Sequence, residues 1–106
     1  EHDGIRAQLA EMRMLIDASR SYIHRACWLA DHQEQGWDKT LGALPKAMAA
    51  QAAWKIATWC MEIHGGHGYM KESGVEKLVR DAAAFLHSDG VNRTLFLKAA
   101  NFMFVK

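Results

Sequence analysis

The chain has 106 residues, enough for one core and too few for a second lobe. Half of its residues are hydrophobic, 24% are charged and the net charge is +1, a balance that gives no electrostatic case for nucleic acid or an anionic membrane surface. No run of 18 apolar residues occurs, so no membrane span is expected, and neither the charged start nor the apolar run of a signal peptide is present. Starting at Glu1 and entering helical periodicity almost at once, the chain reads as a piece of something longer.

Over residues 5–33, Ile5, Leu9, Met12, Leu15, Ile16, Ile23, Ala26, Cys27 and Ala30 recur at spacings of three and four, which predicts a long amphipathic first helix. The polar stretch HQEQGWDKT lacks periodicity and reads as a connection. From about Leu41 to His64 an Ala-rich run predicts a second helix, with Pro45 tolerable only in its first turn. Glycines end that helix, and Ser73 with Glu76 three residues on fits a capping box opening a third, through GVEKLVRDAAAFL. HSDG breaks it, and residues 91–106 form a fourth helix with apolar side chains around most of its circumference. No segment alternates with period two for long enough to be a strand. The expectation is all-α: a four-helix up-and-down bundle filling residues 1–106. Cys27 and Cys60, in apolar surroundings, read as buried reduced thiols, pointing to a reducing compartment such as the cytoplasm or, in a eukaryote, the mitochondrial matrix.

HGGHGY, residues 64–69, puts three glycines within four residues of a helical chain, although each glycine costs a helix about 1 kcal/mol. Two uses fit: a helix C-cap with a turn, or a concave array of backbone N–H groups left open to a phosphate. The stretch follows a helix and lacks GxGxxG spacing, so it is not a Rossmann fingerprint. His64 and His67 with Glu62 lack the further ordered ligands of a metal site, and no metal is assigned. Asp89 sits at a helix break before Gly90, where a capping role is the ordinary one. Arg80 and Asp81 read as surface charges, and Trp28, Trp37, Trp54 and Trp59 as packing residues, since no basic stripe accompanies them.

The stretch AAWKIATWCMEIHGGHGYMKESGVEKLVRDA, followed by an acidic-Gly pair at Asp89-Gly90, resembles the C-terminal helical domain of the flavin-dependent acyl-CoA dehydrogenases. That family runs Gln-x-x-Gly-Gly-x-Gly-Tyr, then Val-Glu, then Arg-Asp, then a catalytic Glu-Gly-Thr. The similarity covers roughly residues 5–104 and is ungapped from Ala52 to Gly90. The resemblance implies FAD as cofactor and acyl-CoA as substrate, with a proton leaving the α carbon as the β hydrogen passes to flavin as hydride. It implies that Gly65, Gly66 and Gly68 meet the ADP portion of an FAD held largely by a neighbouring subunit. It places Glu62, Val91 and Asn92 among the cofactor contacts and Asp89 at the catalytic base.

Glu62 stands where the family most often has Gln, and Gly74 where Pro is common. The residue before the base is Ser88 in place of Tyr, and Thr-Asn-Glu after the glycine reads Val91-Asn92-Arg93. Asp89 is one methylene shorter than Glu, by about 1.5 Å, and misplacement by about 1 Å can cost on the order of a hundredfold in rate. The expectation is a backbone or substrate shifted to compensate, as for a bulky or cyclic acyl group. The competing expectation is an inactive oligomerisation module. The family's bundles meet at the centre of a tetramer, and Phe96, Phe102, Met103 and Phe104 offer apolar surface for a dimer or tetramer. An electron-accepting flavoprotein is a further partner that the family implies.

Overall fold

A computed structural model describes residues 2–65, 74–86 and 92–104. Its helices are α1 (His2–Asp31), α2 (Leu44–His64), α3 (Val75–Phe85) and α4 (Asn92–Phe104), with short 3-10 turns at Gln33–Gln35 and Lys39–Gly42. There is no strand among the described residues, so the expected all-α bundle is what forms. α2 is its hub: α1 and α3 pack along it, and α4 leans on α2 and on the turn at 39–42.

In α1, Met12, Ser19 and Ala26 are buried at seven-residue intervals, with Ile5, Leu15, Tyr22 and Leu29 half-buried beside them. That is the narrow stripe that two antiparallel helices bury. Leu9, Ile16 and Ile23 keep the same interval but are exposed, so the apolar face is wider than α2 covers. The helix stops at Asp31, two residues short of the periodicity's end, because His32 turns back on it. Its Nδ1 donates to the Trp28 carbonyl at 2.7 Å, and the two rings stack 3.9 Å apart.

α2 begins at Leu44, not Leu41, because Pro45 has no N–H to bond back to residue 41 and must lie in the first turn. Leu41 belongs to the preceding 3-10 turn, capped by Asp38, whose Oδ1 accepts from the Thr40 N–H at 2.9 Å and the Thr40 hydroxyl at 2.6 Å. Ala47, Ala50, Ala52 and Ala57 are buried, and their size lets neighbouring helices approach closely. The core is made of such small residues; no large side chain is wholly buried among the described residues.

α3 opens after Gly74, which lies at φ +78 in the left-handed region, and its first helical bond runs from the Leu78 N–H to the Gly74 carbonyl. Ser73 lies outside the described residues, and the expected capping box with it; Glu76 pairs with Arg80 at 2.6 Å. The expected burial of the thiols is corrected: Cys27 is exposed, on the open cleft between α1 and α2 that those helices leave unfilled, and Cys60 is half-buried. Trp28 and Trp54 are likewise exposed.

Candidate functional site

Residues 87–91 connect α3 to α4, and the residues flanking them are fastened to α2. The Asn92 N–H donates to the Leu86 carbonyl at 3.3 Å. Asn92 is 8% exposed, and its side chain spans two adjacent residues of α2: Nδ2 donates to the Ala47 carbonyl at 3.2 Å, and Oδ1 accepts from Lys46 Nζ at 3.2 Å. The same ammonium donates to the Phe85 carbonyl at 2.7 Å, in the last turn of α3 where backbone carbonyls lack helical partners. One cation therefore ties together the end of α3, the start of α4 and the first turn of α2.

At the opposite end of α2, Glu62 and Gly65 are both exposed. Gly65 has φ +61, the conformation that favours glycine, and its N–H donates to the Glu62 carbonyl as the helix cap. Among the described residues, a Cβ built on Gly65 would meet nothing within 4 Å, so they leave space beside it open. Gly66, His67 and Gly68 lie outside the described residues, as do Asp89 and Val91.

Of the predicted site residues, the structure brings Glu62 and Gly65 together and sets Asn92 apart from them. Asn92 rests on Ala47, and from residue 47 to residue 62 is about 22 Å along the axis at about 1.5 Å per residue. The ends of α2 are two separate places. Near the Asn92 end, an open cleft of about 560 Å³ runs between α1 and α2, lined by Ile23, Ala26, Cys27, Ala49, Lys46 and Phe85 among others. Among the described residues no three His, Cys, Asp or Glu side chains converge to hold a metal. Sequence reasoning missed Lys46: its partners lie 39 and 46 residues away, and after Pro45 it reads as an ordinary solvated charge. The bracketing of 87–91 by two helix ends was its one visible signal.

Residues 1–103 match the family described as acyl-CoA dehydrogenase, C-terminal domain. The chain belongs to the acyl-CoA dehydrogenase family. It is 38% identical over 84% of its length to a probable acyl-CoA dehydrogenase, YngJ, of Bacillus subtilis (strain 168), covering 23% of that protein. It is 37% identical over 91% of its length to the mitochondrial very long-chain specific acyl-CoA dehydrogenase of Mus musculus, covering 14% of it. To the cyclohexane-1-carbonyl-CoA dehydrogenase of Geobacter metallireducens it is 33% identical over 88% of its length, covering 24%. The chain thus spans a quarter or less of these acyl-CoA dehydrogenases. No helix among its described residues is long and apolar enough to cross a membrane.

Proposed function

We propose that this chain is the C-terminal domain of an FAD-dependent acyl-CoA dehydrogenase, catalysing α,β-dehydrogenation of an acyl-CoA thioester with Asp89 as base. The observation that carries this is the fastening of Phe85 and Asn92 to Lys46 and Ala47 of α2, with Asn92 bonded in turn to Leu86. The one acid between Asp81 and the C-terminus belongs to a short segment whose flanks are pinned, which restricts its reach as a general base requires.

FAD, when bound, supplies the acceptor for the β hydrogen as hydride. This chain's part is proton transfer and positioning. Asp89 takes the α proton as general base. Because Asp is shorter than Glu, the α carbon must come closer, which suits a bulky or cyclic acyl group. A relative named for cyclohexane-1-carbonyl-CoA and one named for very long chains are both similar to this chain.

The open space beside Gly65 fits a cofactor passing the glycine turn. Gly65 itself would contribute by the close approach it allows, since its N–H is engaged with Glu62, and by the family resemblance Gly66 and Gly68 would meet the diphosphate with it. Glu62 borders that turn and takes no anionic group. At the other end Asn92, engaged with Ala47, Lys46 and Leu86, anchors the Val91 contact with the cofactor. Two contact regions about 22 Å apart agree with a flavin shared between subunits, in a dimer or tetramer of this domain. An electron-accepting flavoprotein would take up the electrons, in the cytoplasm or, in a eukaryote, the mitochondrial matrix.

The test is Asp89→Asn in the full-length flavoprotein. Acyl-CoA should bind nearly as before, while flavin reduction falls by about 10²–10⁴, the contribution of a positioned base. Reduction at the parent's rate would remove Asp89 from the mechanism. It would leave the oligomerisation module, for which the exposed apolar face of α4 speaks.

A further inference from the structure

We infer that Lys46 is a positioning residue for the dehydrogenation, acting through the two anchors of the segment that carries residue 89; the inference rests on the reading of Asp89 as base. An ammonium has three donors and no acceptor, so a single lysine can serve two acceptors at once. Lys46 gives one N–H to the Phe85 carbonyl at 2.7 Å and another to Asn92 Oδ1 at 3.2 Å. The first contact puts a cation at the C-terminal end of α3, where the helix dipole favours it. The second polarises an asparagine whose other end is already bonded to Ala47, so Asn92 is gripped from two consecutive residues of one helix.

Pro45 is buried and Ala47 is 0% exposed, and Lys46 stands between them with its stem along the apolar cleft that Phe85 also lines. Without the ammonium, the Phe85 carbonyl and Asn92 Oδ1 lose a charge-assisted donor together. Among the described residues, the Asn92 N–H to Leu86 bond would then remain between the end of α3 and the start of α4, and Nδ2 to Ala47 between Asn92 and α2. A base displaced by about 1 Å loses on the order of a hundredfold in rate, so loosening both flanks of a short segment should act on rate more than on binding.

The experiment uses the full-length, FAD-loaded protein with Lys46→Met, Lys46→Arg, Asp89→Asn and the Lys46→Met/Asp89→Asn double variant. Lys46→Met should slow flavin reduction at saturating acyl-CoA on the order of ten- to a hundredfold, with acyl-CoA affinity and thermal midpoint nearly unchanged. Lys46→Arg should recover most of the rate, since a guanidinium can also reach two acceptors. In the double variant the methionine should add nothing to the loss from Asp89→Asn. Amide exchange at Asn92 should quicken in Lys46→Met while that of mid-α2 amides stays slow. A parent-like rate in Lys46→Met, unchanged exchange at Asn92, or equal slowing by the methionine in both backgrounds would each overturn the inference. Asp89→Asn at the parent's rate would instead sink the assignment of the base, whatever Lys46 does.

Discussion

α2 and α4 are both apolar helices of this chain, and they meet opposite fates. α2 presents alanines, and Ala47, Ala50, Ala52 and Ala57 disappear between its neighbours. α4 buries Asn92 and Ala99, seven residues apart, and leaves Phe96, Leu97, Phe102, Met103 and Phe104 exposed. Small side chains let backbones approach until the interface closes within one chain. Large ones need a facing surface of matching size, which the described residues do not supply to α4. The contrast separates the part of this domain that folds it from the part that offers itself to something else, and it can be broken at both ends.

The largest effect should come from the hub. Ala47→Leu adds three carbons where exposure is 0% and where the backbone carbonyl receives Asn92, so chemical unfolding should lose about 1–3 kcal/mol, the cost of overpacking. Stability within about 0.5 kcal/mol of the parent would mean that the hub is not tightly packed.

Next is the turn that leads into α2. Asp38→Ala removes the acceptor for the Thr40 N–H and hydroxyl and should cost about 0.5–1 kcal/mol in urea unfolding. The same group makes the contribution pH-dependent. The Thr40 hydroxyl first, and then the Thr40 N–H, hold the Asp38 carboxyl below its ordinary value. A folded pKa below the unfolded value of about 3.9 means that this stabilisation is present in full above the unfolded value and is lost as pH falls through the folded one. Titrating parent and Asp38→Ala from neutral pH into acid should bring their stabilities together; a gap that widens on acidification would reverse the sign.

Smaller again is the ion pair across the hub's edge, Lys55 to Glu11 at 3.1 Å, with both side chains nearly half exposed. A double-mutant cycle with Lys55→Met and Glu11→Gln should give about 0.2–1 kcal/mol, shrinking in high salt. The smallest effect on folding belongs to α4. Leu97→Lys with Phe104→Lys, measured at dilution, should change unfolding by less than about 0.5 kcal/mol, yet if the proposed dimer or larger assembly forms in the parent, light scattering should show the variant as single chains. If instead the double lysine variant unfolds readily as a monomer, α4 belongs to the chain's own core and the contrast with α2 fails.

Helix number and order were legible because each helix carries its own periodicity and its own punctuation. Pro45 and the glycine at 65 act through backbone chemistry that needs no neighbour, and both stand at helix ends as their residue types dictate. The site was legible as a string of spacings from the glycine turn to Asp89, and residues 1–103 do match the family. What those spacings did not carry was the arrangement. Glu62 and Asn92 are both named by the resemblance, and it took the structure to put them at opposite ends of α2, with Asn92 held by Lys46 and Ala47. The thiols went astray for a related reason, because Cys27 lies beside a cleft that α1 and α2 leave open, which no spacing along the chain announces.

By itself the sequence determined the all-α class, the four helices, the left-handed glycine at the end of α2 and membership of the acyl-CoA dehydrogenase family, because all of these follow from local chemistry and fixed intervals along the chain. Tertiary structure alone decided which apolar faces are covered, and that one ammonium joins residues 46, 85 and 92. Burial and charge pairing depend on distances between segments far apart in sequence. An apolar residue on a helix states only that it could be buried; a neighbouring helix has to arrive before it is.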